Sequence, residues 1–225
     1  MARTADPTVH ETLLEAARVE FARMGLERAK VEDMARRAGI SKGAFYLHFR
    51  TKEDAFREIL QRFLGALEEH ARQRQEAECR FEEALRASGG GDLEKALEFE
   101  CQADAELLEI LWRNRQILAA VDSAGGNSTR LVGDFRRRIR AMVADRITRK
   151  QAEGRLRRDV DPEVVADAIV GSYETFGRRM VEMRERPDLP AWARSLLVLI
   201  YEGVLDRQAA RGAHPRPQAG EGRAG

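Results

Sequence analysis

The amino-acid sequence predicts an all-α protein, with three short N-terminal helices followed by a larger bundle of longer helices. Apolar residues recur at three- and four-residue intervals through most of the chain. No segment shows the strict apolar–polar alternation of a half-buried strand. Proline is scarce, at six in 225 residues, while alanine, arginine, glutamate and leucine, which favour helices, dominate the composition.

The first two helices have clear boundary signals. Thr8 lies three residues before Glu11, a capping box that predicts the start of the first helix. Gly25 is expected to end that helix in the left-handed conformation. A second helix is predicted over residues 31–38, where the apolar residues share one face, and Gly39 stops it.

The third and fourth helices follow after short turns. Ser41 is the expected N-cap of the third helix, because its hydroxyl can accept a backbone N–H of the first turn. Thr51, with Asp54 three residues later, predicts a second capping box and a long fourth helix. The first sixty residues therefore contain three short helices and the start of a long one.

The rest of the chain predicts longer helices separated by glycine-rich and proline-containing breaks. Asp161 followed by Pro162 is a strong start signal, since aspartate caps a helix and proline suits its first position. Beyond the fourth helix, the expected helices cover Leu93 to about Val121, Arg130 to Gln151, a segment from Pro162 through Met180, and Ala191 to about Arg211. Residues 212–225 are expected to form a disordered tail.

Composition narrows the function classes. No apolar run approaches the roughly 20 residues needed to cross a bilayer, and the N-terminus opens no apolar signal region, so we expect a cytoplasmic protein. Cys79 and Cys101 fit no metal spacing and make no disulfide framework, so we expect free thiols, no metal site and no cofactor.

Residues Gly39 to Gly43 match the pattern G-x-S-x-G of a hydrolase nucleophile elbow. An elbow requires a buried apolar strand leading into the serine. The segment before Ser41 has helical periodicity and two arginines, so it does not form such a strand. A hydrolase that uses Ser41 is therefore the minor alternative, and we predict no catalytic site.

A helix-turn-helix over about residues 31–50 explains the same stretch better. Two short helices joined by a glycine-containing turn place the second helix in the major groove of DNA. Gly43 and Ala44 allow close backbone approach to the bases, and Lys42 is the long donor at that helix start.

Local charge also favours DNA, although the net charge of the chain is only +1. Between residues 36 and 52 no acidic residue occurs. Tyr46 and His48 add polar side chains that can contact phosphate. The basic residues of this stretch are Arg36, Arg37, Lys42, Arg50 and Lys52.

Residues from about 10 to 60 resemble the DNA-binding domain of the TetR family of transcriptional repressors. The matching positions are Ala16-Ala17, Phe21, Gly25, Val31 to Ala35, Ala38 to Gly43, Phe45-Tyr46, His48-Phe49 and Lys52-Glu53. The resemblance implies a DNA-binding domain over 1–52, a ligand-binding and dimerisation domain over 53–211, and the tail 212–225.

The resemblance also assigns roles to individual positions. It implies that Lys42, Gly43 and Ala44 approach bases, that Tyr46, His48 and Lys52 contact phosphate, and that Phe45 and Phe49 pack in the core. Lys30 departs from the Ser or Thr usual before the second helix, so a cap is lost there, at about 1 kcal/mol. The expected DNA-binding residues are Lys30, Arg36, Ser41, Lys42, Gly43, Ala44, Tyr46, His48 and Lys52.

For the remaining helices the resemblance implies a bundle that binds a small-molecule effector and forms a homodimer on a palindromic operator. The predicted pocket residues are four aromatic residues and one flexible methionine: Phe99, Trp112, Met142, Tyr173 and Phe176. The predicted dimer residues lie on the last two helices: Ile169, Gly171, Ser172, Leu196, Ile200, Gly203 and Val204. The arginines 136, 137, 138 and 140 favour a solvated face, with an acidic-ligand site as the alternative.

Overall fold

The structure is a computed structural model that describes residues 7–87, 93–122 and 129–202. Within these ranges the chain is helical without any strand, and no helix is long and apolar enough to cross a membrane. The helices are α1 (Pro7–Arg28), α2 (Val31–Arg37), α3 (Lys42–His48), α4 (Lys52–Ala87), α5 (Leu93–Arg113), α6 (Arg115–Asp122), α7 (Thr129–Ala152), α8 (Pro162–Glu182) and α9 (Leu189–Glu202). The all-α prediction is confirmed.

Two of the predicted caps frame the third helix. The Ala44 N–H donates to Ser41 Oγ at 3.1 Å, so Ser41 caps α3. At the start of α4, the Asp54 N–H donates to Thr51 Oγ1 and the Thr51 N–H donates to the Asp54 carboxylate, each at 3.1 Å. Both start signals are confirmed, and the reciprocal pair fixes where α4 leaves the turn after α3.

The turn between α2 and α3 is a Schellman motif that requires glycine. Gly39 has φ +70°, the left-handed region that side chains disfavour. The Ile40 N–H donates to Ala35 O at 3.0 Å, and the Gly39 N–H donates to Arg36 O at 3.2 Å. Gly25 also has positive φ (70°) and interrupts the helical geometry inside α1, as predicted for a helix end.

Three predicted boundaries are wrong. Helix α1 begins at Pro7, so Thr8 lies inside it, and Thr8 accepts the Thr12 hydroxyl through its backbone oxygen. The segment predicted as one helix from 93 to 121 is broken at Asn114, whose side chain bonds Ile110 O. Helix α9 starts at Leu189 because the Asp188 carboxylate accepts an N–H of the first turn.

Aromatic packing fixes α3 on the rest of the N-terminal helices. Phe45 is fully buried on α3, and Phe49 directly after it is 5% exposed. The Phe45 and Phe49 rings lie 5.7 Å apart, and Phe21 meets Phe56 edge-on at 5.3 Å. Each such buried ring contributes about 1.5–3 kcal/mol, so the orientation of α3 is set by the core beneath it. The predicted core roles of Phe45 and Phe49 agree with this packing.

Helix α4 belongs to both halves of the molecule. Its 36 residues span about 54 Å. Ala55, Phe56 and Ile59 are buried in the same apolar cluster as the α1 and α3 residues. Helix α6 packs against α1 on one side and α8 on the other. A domain boundary at 52/53 therefore stays a prediction, and α4 runs across it without a break.

Candidate DNA-binding surface and internal cavity

Helix α3 presents a small, open face at its N-terminus. Gly43 is exposed, and a Cβ added there would meet only Ser41 Oγ, at 3.8 Å. Tyr46 is 50% exposed and Leu47 53% exposed on the same short helix. Leu47 was not among the sequence-predicted contacts, because an apolar residue in a helical pattern is usually assigned to the core. Another molecule can therefore approach the backbone of this face closely without any rearrangement of the helix.

Lys42 does not stand alone at the start of α3. Its ammonium pairs with Glu32 of α2 at 2.5 Å on the exposed surface. The hydrogen bond raises the pKa of Lys42 and lowers the pKa of Glu32, so both groups stay charged. The basic stretch was defined along the sequence, whereas in space an acidic group from the preceding helix faces its central lysine. Any anion that binds Lys42 competes with Glu32.

Lys52 is held by backbone carbonyls. Its ammonium donates to Glu27 O at 2.6 Å and to Ala29 O at 3.1 Å, where α1 ends. A cation at a helix C-terminus is favourable, and an ammonium has three donors, so one remains for another acceptor. Lys30 is exposed and caps α2 with its backbone only, which agrees with the loss of a side-chain cap predicted at this position.

The two arginines of α2 are paired as well. Arg36 forms an ion pair with Asp33 one turn earlier. Arg37 lies 3.7 Å from Glu20, a carboxylate on α1 that is 1% exposed and also pairs with Arg23 at 2.5 Å. The buried Glu20 was missed because a glutamate in a helix normally faces solvent. Arg37 therefore helps to hold α2 on α1.

His48 lies half-buried at the end of α3. Its Nδ1 is buried without a hydrogen-bond partner among the described residues, and its ring is 5.6 Å from that of His10. His10 in turn bonds Glu58 at 2.9 Å and packs on Phe49 at 4.9 Å. These contacts join the end of α3 to α1 and α4.

A cavity of about 480 Å³ is lined by residues from each of the six helices α4, α5, α6, α7, α8 and α9. This volume falls in the range of small-molecule sites. The apolar part of its wall includes Phe63, Leu67, Leu107, Leu111, Phe135, Ile139, Met142 and Val143. The Phe63 and Phe135 rings of this wall stack at 5.6 Å.

One region of the cavity wall is strongly polar. Arg74 of α4 pairs with both Glu100 and Asp104 of α5. Glu100 also accepts from Lys150 at 2.6 Å and from Arg146 at 3.1 Å, both on α7. Arginine pairs with each carboxylate through its fork of donors, so the cluster ties three helices together. We call this group, with Glu78, the polar cluster; Glu78 joins through Lys150 at 2.5 Å.

The sequence-predicted pocket residues divide into two groups. Met142 and Tyr173 line the cavity. Phe99 stacks on Phe81 at 4.9 Å instead, Phe176 packs on Trp192 at 5.1 Å, and Trp112 lies under the Arg115 guanidinium. The prediction that these three residues line the pocket is wrong for this cavity, because none of them borders it: Phe99, Trp112 and Phe176. Helical spacing identified apolar faces but not which of them border a void.

The predicted dimer residues also lie in different surroundings. Ile169 and Leu196 line the cavity, and Leu196 is 7% exposed, so these two face the interior. Gly171 is exposed with open space around it, while the Ser172 hydroxyl donates to Ala168 O. Ile200 borders the cavity yet is 47% exposed. Two further positions lie outside the described residues: Gly203 and Val204.

All four arginines near the start of α7 are paired. Their partners are Glu174 for Arg136, Asp134 for Arg137, Glu68 for Arg138 and Asp167 for Arg140. Only Arg136 of the four lies in the cavity wall. This arrangement favours the predicted solvated face over an acidic-ligand site.

Comparisons with known proteins point to one family. The family model described as bacterial regulatory proteins, tetR family, matches residues 13–59. The HTH-type transcriptional regulator YdgC of Bacillus subtilis is 25% identical over 162 residues, which is 72% of this chain and 75% of YdgC. The repressor KstR2 of Mycobacterium tuberculosis is 46% identical over 55 residues, only 24% of this chain and 28% of KstR2.

Solved structures extend the likeness to almost the whole chain. The regulator FadR from Bacillus subtilis, solved with stearoyl-CoA, matches 87% of this chain and 100% of its own with a TM-score of 0.66 at 18% identity. KstR2 of Mycobacterium tuberculosis matches 91% of this chain and 100% of its own with a TM-score of 0.61 at 22% identity. At these identities the likeness establishes the fold.

Proposed function

This chain is a DNA-binding transcriptional regulator of the TetR family, and we propose that it is a homodimeric repressor released from a palindromic operator by a small-molecule effector. It is a regulator and not an enzyme. Ser41 agrees with that assignment, because its Oγ accepts a backbone N–H and serves as a helix cap. We further propose that it acts in the cytoplasm, where its DNA target lies.

The observation that carries the proposal is the geometry of α3. A capped helix with an exposed N-terminal glycine stands on a rigid aromatic base, next to Lys42 and Lys52. Its unpaired first-turn N–H groups and its dipole favour phosphate. Lys42 can exchange its exposed partner Glu32 for a base edge or phosphate at little cost, since such a surface pair is weak.

The cavity supports an effector-controlled function. Helix α4 carries cavity residues such as Phe63 and Leu67 and, at its other end, buried residues beneath α3. Helix α6 contributes Leu118 and Val121 to the cavity wall while it packs against α1. An effector with different affinities for two arrangements of α4 and α6 shifts the position of α3. We propose that the liganded arrangement no longer fits the operator spacing.

The last two helices favour dimerisation. Val164 on α8 is 65% exposed, and Leu199 and Ile200 on α9 are 46% and 47% exposed. Exposed apolar residues on the last two helices favour an interaction surface there. We propose that two-fold pairing there sets the two α3 helices one DNA turn apart, about 34 Å, as a palindromic operator requires.

Footprinting across the DNA that flanks the gene tests the DNA-binding part. We expect one protected palindrome, with at least a hundredfold weaker binding to a scrambled sequence of equal composition. Equal affinity for both sequences would refute a specific operator and support nonspecific packaging.

Sedimentation tests the dimer. Leu199→Glu places a charge on the proposed interface, so we expect a monomer that no longer protects the operator. Leu47→Glu, a matched change at an equally exposed leucine of α3, should leave the dimer intact. A dimer that persists in Leu199→Glu would place the interface elsewhere.

A further inference from the structure

The cavity wall changes from apolar to polar along its length. On α4, Phe63 and Leu67 are followed by His70 and Arg74, and the eleven steps from Phe63 to Arg74 rise about 16 Å along the helix. On α7 the change runs the same way along the chain, from Phe135 through Ile139 and Met142 to Arg146 and Lys150. On α5 it runs the opposite way, from Glu100 and Asp104 to Leu107 and Leu111. Near Phe135 the wall also includes the ion pair of Arg136 with Glu174, at 3.1 Å. An elongated molecule therefore meets a mainly apolar wall at one end and the polar cluster at the other.

The cations at the polar end are paired. Besides those of the polar cluster, Arg155 and Arg157 also line the cavity; Arg155 pairs with Glu82 and lies 3.7 Å from Glu78, and Arg157 pairs with Asp159. The polar cluster contains three cations and three carboxylates, so its formal charges cancel. The cations are Arg74, Arg146 and Lys150, and the carboxylates are Glu78, Glu100 and Asp104. A buried ion must be paired to offset its desolvation. A charged ligand group would have to break these pairs and leave one partner of the opposite sign uncompensated.

Three polar atoms beside the cluster are nevertheless without partners. His70 Nε2, Arg74 Nε and the Tyr173 hydroxyl are buried and make no well-formed hydrogen bond within the described part of the chain, and the Asp104 carboxylate lies beside the Tyr173 hydroxyl. His70 is 8% exposed, and all three residues line the cavity. A buried unsatisfied polar atom costs about 1–3 kcal/mol. Such atoms at one end of an apolar cavity take their hydrogen bonds from what fills the cavity, a ligand or water.

Of these three side chains, His70 and Tyr173 are uncharged at neutral pH, whereas Arg74 keeps its charge. Burial lowers the pKa of His70, with Arg74 acting in the same direction and Asp104 against it. Burial also raises the pKa of the Tyr173 phenol, with the nearby Asp104 carboxylate reinforcing the shift. The imidazole can accept or donate according to its tautomer, and the phenol can donate or accept. They suit a neutral hydroxyl or carbonyl.

We propose that the effector has an elongated apolar body and an uncharged hydroxyl or carbonyl at one end, which hydrogen-bonds His70, Arg74 and Tyr173. The proposal rests on the proposed function, in that the cavity is taken as the effector site. The apolar body fills the space between Phe63 and Met142. The neutral head satisfies the three unpartnered atoms and leaves the polar cluster intact.

A matched series of ligands tests the head group at constant apolar area. The probes are decanol, a decanone, decanoate and decylammonium, with binding measured by calorimetry on the full chain. We expect decanol or the decanone to bind at least tenfold more tightly than both charged probes. Decanoate or decylammonium binding as tightly as the neutral probes would overturn the proposal, and so would the absence of binding by every probe.

Two variants and a control assign the contact. Tyr173→Phe and His70→Leu remove hydrogen-bonding atoms with little change in shape, so each should reduce the preference for decanol over decanoate by about threefold or more. Met142→Leu alters the apolar wall and should change the affinity for all probes alike. An unchanged preference in both Tyr173→Phe and His70→Leu would refute the assignment to these residues.

Operator footprinting without any ligand separates this inference from the function on which it rests. A specific footprint together with a preference for charged probes refutes the neutral head group alone. The absence of a specific footprint refutes the proposed function, whatever the probes do.

Discussion

Replacing Glu100 by glutamine is the sharpest test of the polar cluster. Glu100 is 8% exposed, and its carboxylate meets cations from two helices: Arg74 on α4, and Arg146 and Lys150 on α7. These cations hold the pKa of Glu100 far below its ordinary value of 4.5, against the opposing effect of burial. Glu100→Gln keeps the shape and removes the charge, so the cluster is left with three cations and two carboxylates.

The expected magnitude follows from the burial of the pair. Removing one partner of a buried ion pair costs about 3–5 kcal/mol, because the remaining charge is left uncompensated. For a chain of this size each kcal/mol shifts the melting temperature by about 2–4 °C. We therefore expect Glu100→Gln to melt about 6–20 °C below the wild type at equal protein concentration.

The pH dependence provides a second readout. Because the folded-state pKa of Glu100 is depressed, its stabilisation is fully present above pH 4.5 and is lost as the pH falls toward the folded-state value. The difference between wild type and Glu100→Gln should narrow as the pH is lowered from 4.5.

Urea unfolding followed by circular dichroism measures the difference, with Glu69→Gln as the control. Glu69 is an exposed residue of α4 whose carboxylate pairs with Arg72, and we expect no measurable change there. If Glu100→Gln unfolded at the same urea concentration as the wild type, the polar cluster would not stabilise the fold as argued.

Three further predictions concern other parts of the chain. Lys52→Met should lower the free energy of unfolding by about 1.5–3 kcal/mol, because the contacts with the two carbonyls are lost. If the third donor of Lys52 meets a phosphate, the same change should also reduce the salt slope of operator binding by about 0.9 per protomer. An unchanged slope would contradict the phosphate role. Ser41→Ala should cost about 1 kcal/mol in urea unfolding by uncapping α3, whereas Ser41→Asp should retain most of that stability. Burial lowers the pKa of His70 below 6.5, so the stabilisation from its neutral imidazole is fully present above that pH and is lost as the pH falls from there. Between about pH 7.5 and 5, the melting temperature should therefore fall less in His70→Leu than in the wild type.

Local structure was predictable from short windows of the chain. Ser41, Thr51 and Asp161 each bond a backbone group two or three residues away, so a short window of sequence contains both partners. Gly39 is equally local, because only a left-handed residue ends α2 with this turn. The helix-turn-helix and its open N-terminal face were therefore predictable, and the resemblance to a family rested on the same stretch.

Contacts of charged side chains between different helices could not be predicted from the sequence. Lys42 meets Glu32, Arg37 meets Glu20, and Lys52 meets the end of α1, although a count along residues 36–52 shows only basic residues. Such contacts depend on how helices cross, and periodicity reports which face of a helix is apolar but not which helix lies against it.

The cavity was decided entirely by the tertiary structure. Phe99 and Met142 have the same kind of helical apolar context, yet Phe99 stacks on Phe81 while Met142 faces a void. The polar cluster joins α4, α5 and α7, with partners 26 to 72 positions apart in the chain. A void and a balanced cluster exist only where several helices meet without filling the space between them, and the packing of the whole bundle sets that geometry.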